Sequence, residues 1–327
     1  MATPWLSVLI PVYNVKNYLD DCFQSILSQC GENIEIIALD DQSTDGSFEY
    51  LHALAAKTSR PIKILQHTHN RGLSAARNSL VAAATGEYVW FLDSDDVLVD
   101  GAINQLWRIV ERYSPDLVMC DYHMWRPGIA VEWRKQRKES HISTFSEGSN
   151  CLMQSPELLF KGLYKKGKLH SWSKISKRSL WLSGLQFPEG KYFEDMVTTP
   201  RLALAVKTYF HCPEVWVRYR QREGSILSNF NDKKINDMMA GVDNIWEIWS
   251  SRLPDIKIST RYYFSRFCVK NYISALKESK RCSLPIDKNS YRSRLFHNIG
   301  MSRKGLIKYY LLNGDLFRLL KVLKVLH

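Results

Sequence analysis

The chain has 327 residues, 45% of them hydrophobic, and a formal net charge of +12. The apolar share excludes a disordered chain, the length allows about two domains, and no run reaches the roughly 18 apolar residues of a membrane span. The first hundred residues hold more acids than bases, so the basic excess lies beyond them; it suits nucleic acid, an anionic membrane or an anionic substrate, and no nucleic-acid-binding signature accompanies it.

Residues Leu6 to Ile10 form an apolar run ended by Pro11, which reads as a strand running into a loop. No basic region precedes that run and Pro11 cuts it short, so a secretory signal is not expected. From Lys16 the period changes. Tyr18, Leu19, Cys22, Phe23, Ile26 and Leu27 line one helical face to about Gln29. Ile34 to Leu39 is a second strand, ending in the polar loop Asp40 to Gly46. Phe48, Leu51, His52, Leu54 and Ala55 mark a second helix, and Ile62 to Leu65 a third strand. Ser74 is placed to cap a third helix through Ala84, closed by Gly86. Val89 to Leu92 is the fourth strand. A helix from Asp100 and Gly101 carries Ile103, Leu106, Trp107, Val110 and Tyr113, and Leu117 to Cys120 is a fifth strand.

This alternation predicts an α/β fold with a mostly parallel, doubly wound sheet, whose ligands bind beyond the carboxyl ends of the strands. Asp40 and Asp41, Asn70 and Arg71, and Asp93 with Asp95 and Asp96 all fall at such ends. Crowded carboxylates repel one another, so they call for solvent or a hard cation such as Mg2+ or Mn2+. A polar turn explains an isolated Asp-x-Asp equally. No G-x-G-x-x-G or G-x-x-x-x-G-K-[ST] phosphate loop is present.

Beyond residue 120, Trp125, Trp133 and the basic run 134–138 suggest a surface hairpin, which fits a solvated charged face and an acceptor-binding role equally. Pro156 opens a short helix, and Ser173 to Trp181 leads into another. Tyr192 to Asp195 opens a helix through Leu204. Glu194 and Asp195 there also suit the helix dipole without any chemistry. Val215 to Tyr219 alternates as a strand, and helices follow from Lys233, with Tyr262 to Leu276 among them. In the tail Leu316, Leu319, Leu320, Leu323 and Leu326 share one face beside Arg318, Lys321 and Lys324, a pattern that fits an anionic membrane surface, a helix docked on its own protein, or a dimer contact. Seven cysteines without C-x-x-C spacing and nine histidines without H-x-x-x-H pairing predict reduced thiols, a cytosolic compartment, no zinc and no disulfide frame.

Four blocks in order carry a family resemblance: Ser7-Val-Leu-Ile-Pro-Val-Tyr-Asn14, Leu39-Asp-Asp-Gln-Ser-Thr-Asp-Gly46, Asn70-Arg-Gly-Leu-Ser-Ala-Ala-Arg-Asn78 and Gly86-Glu-Tyr-Val-Trp-Phe-Leu-Asp-Ser-Asp-Asp96. Phe187-Pro-Glu-Gly190, Phe193-Glu-Asp195 and Tyr219-Arg-Gln-Arg-Glu-Gly-Ser225 extend it more weakly. The chain resembles the family 2 glycosyltransferases, inverting enzymes of the GT-A fold, of the type that builds bacterial capsule, lipopolysaccharide or exopolysaccharide. The resemblance implies a GT-A domain over 1–228, with a nucleotide-sugar half to about residue 120 and an acceptor half after it. A helical C-terminal region over 229–327 follows.

The resemblance further implies that Pro11, Val12, Tyr13, Asn14, Asp40, Asp41, Arg71, Arg77, Asp93 and Ser94 bind a UDP-sugar donor, with an Asp carboxylate accepting the uracil imide N–H. Asp93 and Asp95 would hold Mn2+ or Mg2+. Asp195 would be the general base, with Glu194 as its substitute. Trp172, Lys174, Arg220 and Arg222 are candidates for the acceptor or phosphate side. Gln42 departs from the family's usual Gly, in a loop away from the metal. The Q-x-x-R-W motif of processive synthases is absent, so one sugar per encounter is expected. The expected acceptor is a glycan, lipid-linked at the inner membrane face, which the protein would meet peripherally through its basic tail; a homodimer is a further expectation, and nucleic acid is not. The alternative is a non-catalytic nucleotide-sugar-binding scaffold. A nucleotidyltransferase would want a Gly-rich loop after the first strand, and Pro11 to Asn14 offers none.

Overall fold

The computed structural model describes residues 3–31, 33–125, 141–222, 230–253 and 255–326. The basic run 134–138, Trp133, Gly224 and Ser225 lie outside the described residues.

Among the described residues ten strands form one sheet: β1 Leu6–Val12, β2 Ile34–Asp40, β3 Ile62–Gln66, β4 Tyr88–Phe91, β5 Val97–Leu98, β6 Leu117–Trp125, β7 His141–Ile142, β8 Leu152–Met153, β9 Lys174–Lys177 and β10 Tyr209–Arg220. Their order is β3-β2-β1-β4-β9-β6-β10-β5, with β7 on β6 and β8 on β10. The first four strands pair in parallel, as the alternation of strands and helices requires. β1 is buried along its whole length, which is why its sequence runs apolar instead of alternating.

Three features differ from the sequence expectation. Lys174–Lys177, read as the lead into a helix, is a strand that runs antiparallel to both β4 and β6 and stitches the two halves of the sheet together. Two lysines and a serine hide a four-residue strand from any apolar-run criterion, because burial here comes from sheet neighbours. Ser74 does not cap its helix: Leu73–Ala83 begins after Gly72, at φ +85°, and Ser74 is buried inside the first turn. β10 also starts earlier than its alternating stretch, with a register shift between Cys212 and Val215 where Pro213 breaks the ladder.

Helices cover both faces. On one face Lys16–Leu27 and Ala102–Tyr113 bury Phe23, Ile26, Leu106 and Ile109. On the other, a continuous core runs from Leu9 and Ile37 through Phe160 and Leu202 to Trp249, Tyr272 and Val322. The 24-residue helix Ile258–Arg281 is the spine of the C-terminal helices, which pack into that core and not into one of their own. The last helix, Leu316–Leu326, buries Leu319 and Val322 but leaves Leu316, Phe317 and Leu320 more than half exposed.

Candidate active site

The carboxyl ends of β1, β2 and β4 open into a cleft of about 740 Å3, closed on the far side by residues 190–194, the end of β10 and the helix Asp232–Ala240. Pro11, Val12, Tyr13 and Asn14 line it from β1. The Tyr13 ring is 48% exposed, so it offers a flat apolar face at the mouth. Asn14 takes φ +51° and its side-chain oxygen accepts the Thr44 N–H at 2.8 Å, which fixes the turn after β1.

Asp41 ties three segments together. Its backbone N–H donates to Val12, and its carboxylate accepts the N–H groups of Arg71 at 2.9 Å and Gly72 at 2.7 Å and meets His67 Nδ1 at 2.6 Å. It lines the cleft; Asp40 does not. Asp40 is fully buried beneath the loop, accepting from the Ser43 N–H and from Gln66. Strand alternation explains the division, since neighbouring residues point to opposite sides. The Arg71 side chain leaves the cleft to pair with Glu189 at 3.2 Å. In the same loop Gln42 adopts φ +61°, the left-handed conformation that favours glycine.

The Asp cluster after β4 splits likewise. Asp93, Ser94 and Asp95 line the cleft. Asp96 is fully buried, holds the Arg220 backbone N–H at 2.8 Å, and is pushed well up by burial and by Asp95 and Asp93. Asp95 is raised by burial and by Asp93, against the pull of Arg222, whose Nε lies 2.5 Å from it. Among the described residues no group of three or more His, Cys, Asp or Glu is placed to hold a metal. The two cleft carboxylates nevertheless fit a hard divalent cation of the Mg2+ kind, which takes one or two protein carboxylates and completes its shell with water and substrate phosphate.

The centre of the site is Arg77, 1% exposed, on the helix Leu73–Ala83. Its guanidinium reaches Asp93 at 2.7 Å, Glu194 at 2.6 Å and Asp195 at 3.5 Å, and lies over the Phe187 ring. Burial alone would lower its pKa, but the three carboxylates more than reverse that. Burial pushes Glu194 up to about 7, helped by the Asp195 charge and opposed by Arg77. Asp195 accepts the Ser171 hydroxyl and lies 3.9 Å from His170 Nδ1. Burial and then the charges of Lys174, Lys168 and Arg77 hold His170 down at about 3, so the ring is neutral. Glu194 and Asp195 begin the helix Glu194–Ala205, and both also meet its dipole.

Trp172 and Lys174 sit under the cleft instead of lining it. Trp172 packs against both His170 and Tyr219, which also touch each other. Lys174 is buried and donates to the carbonyls of Lys168 and His170 and to the Ser173 hydroxyl, and burial pushes it down to about 8. Both therefore brace the 168–173 turn that carries Ser171. Arg220 and Arg222 do line the cleft. Arg220 binds Asp21 at 2.7 Å and the Asp95 carbonyl, with its guanidinium 3.9 Å from the Trp125 ring centroid.

Residues 7–163 match the family described as Glycosyl transferase family 2. Residues 7–163, just under half of the chain, therefore carry a family 2 glycosyltransferase domain. It is 29% identical over 234 residues, 70% of its length, to glycosyltransferase GlyA of Streptococcus pneumoniae, of which it spans only 32%. It is 26% identical over 261 residues to glycosyltransferase GlyG of the same organism, covering 76% of this chain and 80% of that one. Among solved structures, S. aureus TarS 1–349 in complex with UDP-GlcNAc matches with a TM-score of 0.60 at 18% identity, over 94% of this chain and 91% of that one. At that identity the likeness is one of fold, and the fold is the mixed α/β GT-A type.

Of the ten candidate donor residues, Pro11, Val12, Tyr13, Asn14, Asp41, Asp93 and Ser94 line the cleft and Asp40, Arg71 and Arg77 do not; Ser171, His170, Tyr192, Lys191, Lys233 and Lys234, which stand at or beside it, were not candidates from the sequence. Lys191 and Tyr192 sit immediately before the Glu194-Asp195 pair, which is a usable signal. Nothing local marks Ser171 or the lysines of the 232–240 helix.

Proposed function

We propose that this chain is a metal-dependent inverting glycosyltransferase that moves one sugar from a UDP-sugar to a glycan hydroxyl in bacterial surface-polysaccharide synthesis. The observation that carries the reading is Arg77, a single buried cation that binds Asp93 at the donor end and the Glu194–Asp195 pair at the other. It sets the distance between the leaving group and the base.

In this reading Tyr13 stacks on the nucleobase and Asp41 accepts its imide N–H, as its cleft-facing position allows. Asp93 and Asp95 would hold the divalent cation, which when bound supplies Lewis-acid neutralisation of the diphosphate. Arg222, already beside Asp95, adds positive charge at the same end. Asp195 takes the proton of the acceptor hydroxyl as its oxygen bonds to the anomeric carbon and the bond from that carbon to the diphosphate breaks. Ser171 orients the Asp195 carboxylate, and neutral His170 beside it leaves that carboxylate free to accept. The acceptor is a lipid-linked glycan, met at the cytoplasmic membrane face through the C-terminal helices. No described helix is long and apolar enough to cross a membrane. Exposed Leu312, Leu316, Phe317 and Leu320 beside Lys304, Lys308 and Lys321 support a peripheral contact.

Binding and hydrolysis of a panel of UDP-, GDP-, TDP- and CMP-sugars, with Mn2+, with Mg2+ and with EDTA, tests the reading. A metal-dependent UDP-sugar signal is expected. A folded protein that binds no nucleotide sugar would overturn it.

A further inference from the structure

The arginines around the cleft are tied down to different degrees. Arg77 is almost wholly buried and held by three carboxylates. Arg220 is buried, bound to Asp21 and to the Asp95 carbonyl, and packed on the Trp125 ring. Arg71 points away to Glu189. Arg222 is held more loosely. Its side chain is 22% exposed, just past the end of β10, and among the described residues its carboxylate partner is Asp95, with the Tyr18 ring centroid 5.2 Å away. That partner is also one of the two carboxylates that fit a divalent cation. One carboxylate carries one negative charge, and it cannot neutralise a guanidinium and a divalent cation together. Asp93 does not relieve the conflict, because the immobile Arg77 already holds it.

Arg222 is therefore the group that must move when a cation takes Asp95. A displaced guanidinium in a partly buried cleft needs a new anion. The donor brings one to the same end, a diphosphate, whose oxygens suit the planar fork of arginine. Resting on the transferase reading above, we propose that Arg222 is a diphosphate-binding residue held in reserve by Asp95: it stays on that carboxylate until a cation takes it, and is then handed to the nucleotide diphosphate. The pair also offsets the repulsion between Asp95 and its like-charged neighbour Asp93. Cation binding alone strands Arg222, and nucleotide binding alone finds Arg222 already engaged. Each ligand thus removes the obstacle to the other, which couples their binding.

Calorimetric titration tests the hand-over in two arms. In EDTA, UDP is titrated into wild type, Asp95→Asn, Arg222→Gln and the double variant. Losing Arg222 should weaken UDP binding less than about twofold while Asp95 is present, and about tenfold or more once Asp95→Asn has freed the guanidinium. Equal losses in the two backgrounds overturn the proposal, since Arg222 would then reach the diphosphate, or miss it, whatever Asp95 does. In the second arm Mn2+ is titrated without nucleotide. Arg222→Gln should bind Mn2+ about fivefold or more tighter than wild type, because the competing positive charge is gone. Equal or weaker Mn2+ binding overturns the proposal as well. Thermal melting checks that the variants fold, and the Mn2+ arm decides alone if Asp95→Asn does not. Mn2+ binding by neither protein, with or without UDP, ends the metal reading and the hand-over together. UDP binding to no variant ends the donor reading. Equal losses in a protein that does bind UDP and Mn2+ leave that reading standing and remove only the hand-over.

Discussion

Arg77 is where single-residue chemistry and stability meet. Its fixed charge compensates carboxylates that are otherwise out of water, so Arg77→Met leaves Glu194 and Asp93 exposed to each other in a poorly solvated site. A loss of about 3–5 kcal/mol is expected on chemical denaturation. Asp195→Asn keeps the volume and removes the basic lone pair. UDP affinity should be unchanged while transfer falls about 10²–10⁴-fold; a variant that still transfers would remove Asp195 as the base. Glu194 adds a pH signature. Its folded pKa is raised from 4.5 to about 7, so below 4.5 it is protonated folded and unfolded alike, and between the two values only the folded state holds the proton. Its contribution to stability therefore falls as pH rises through that window, by up to about 1.4 kcal/mol per pH unit. Glu194→Gln should flatten the stability–pH curve there. Gln42, exposed at φ +61°, carries a left-handed penalty of about 1–2 kcal/mol, so Gln42→Gly should raise the melting temperature.

At the scale of elements, the parallel strands and their helices were legible because their signals are local: β1, apolar but for Ser7, apolar β4, and helical spacing in Lys16–Leu27. β9 was not legible, because its lysines and serine are buried by neighbours that arrive from elsewhere in the chain. The tail shows the same limit. Its leucines read as one face, yet packing turns Leu319 and Val322 into the core and leaves Leu316 and Leu320 outside. Leu319→Ala should cost about 2–5 kcal/mol by cavity formation. Leu320→Ala should stay within about 0.5 kcal/mol. Equal effects at the two positions would contradict this docking.

The whole molecule is basic, with +12 overall and an N-terminal hundred residues in which acids outnumber bases. The basic excess thus lies after residue 100, and part of it returns to the cleft, where Arg222 pairs with Asp95. If the apolar and basic tail surface meets anionic lipid, raising salt should release the protein from sedimented membranes, since screening shortens to about 3 Å at 1 M. Release by detergent alone, or failure to sediment at all, would rule out an electrostatic anchor.

The sequence by itself determined the sheet's first four strands, the order of the donor motifs and the carboxyl-end position of Asp41, Asp93 and Asp95, because burial pattern and turn chemistry are written within a few residues. Only the tertiary structure decided which carboxylates face the cleft. Asp40 and Asp96 carry the same chemistry as their neighbours but point into the protein. It also decided that Arg77 meets Glu194 across 117 residues of chain, and that lysines from two segments converge on Asp237. Such contacts follow from how helices pack on a sheet, and no local spacing encodes them.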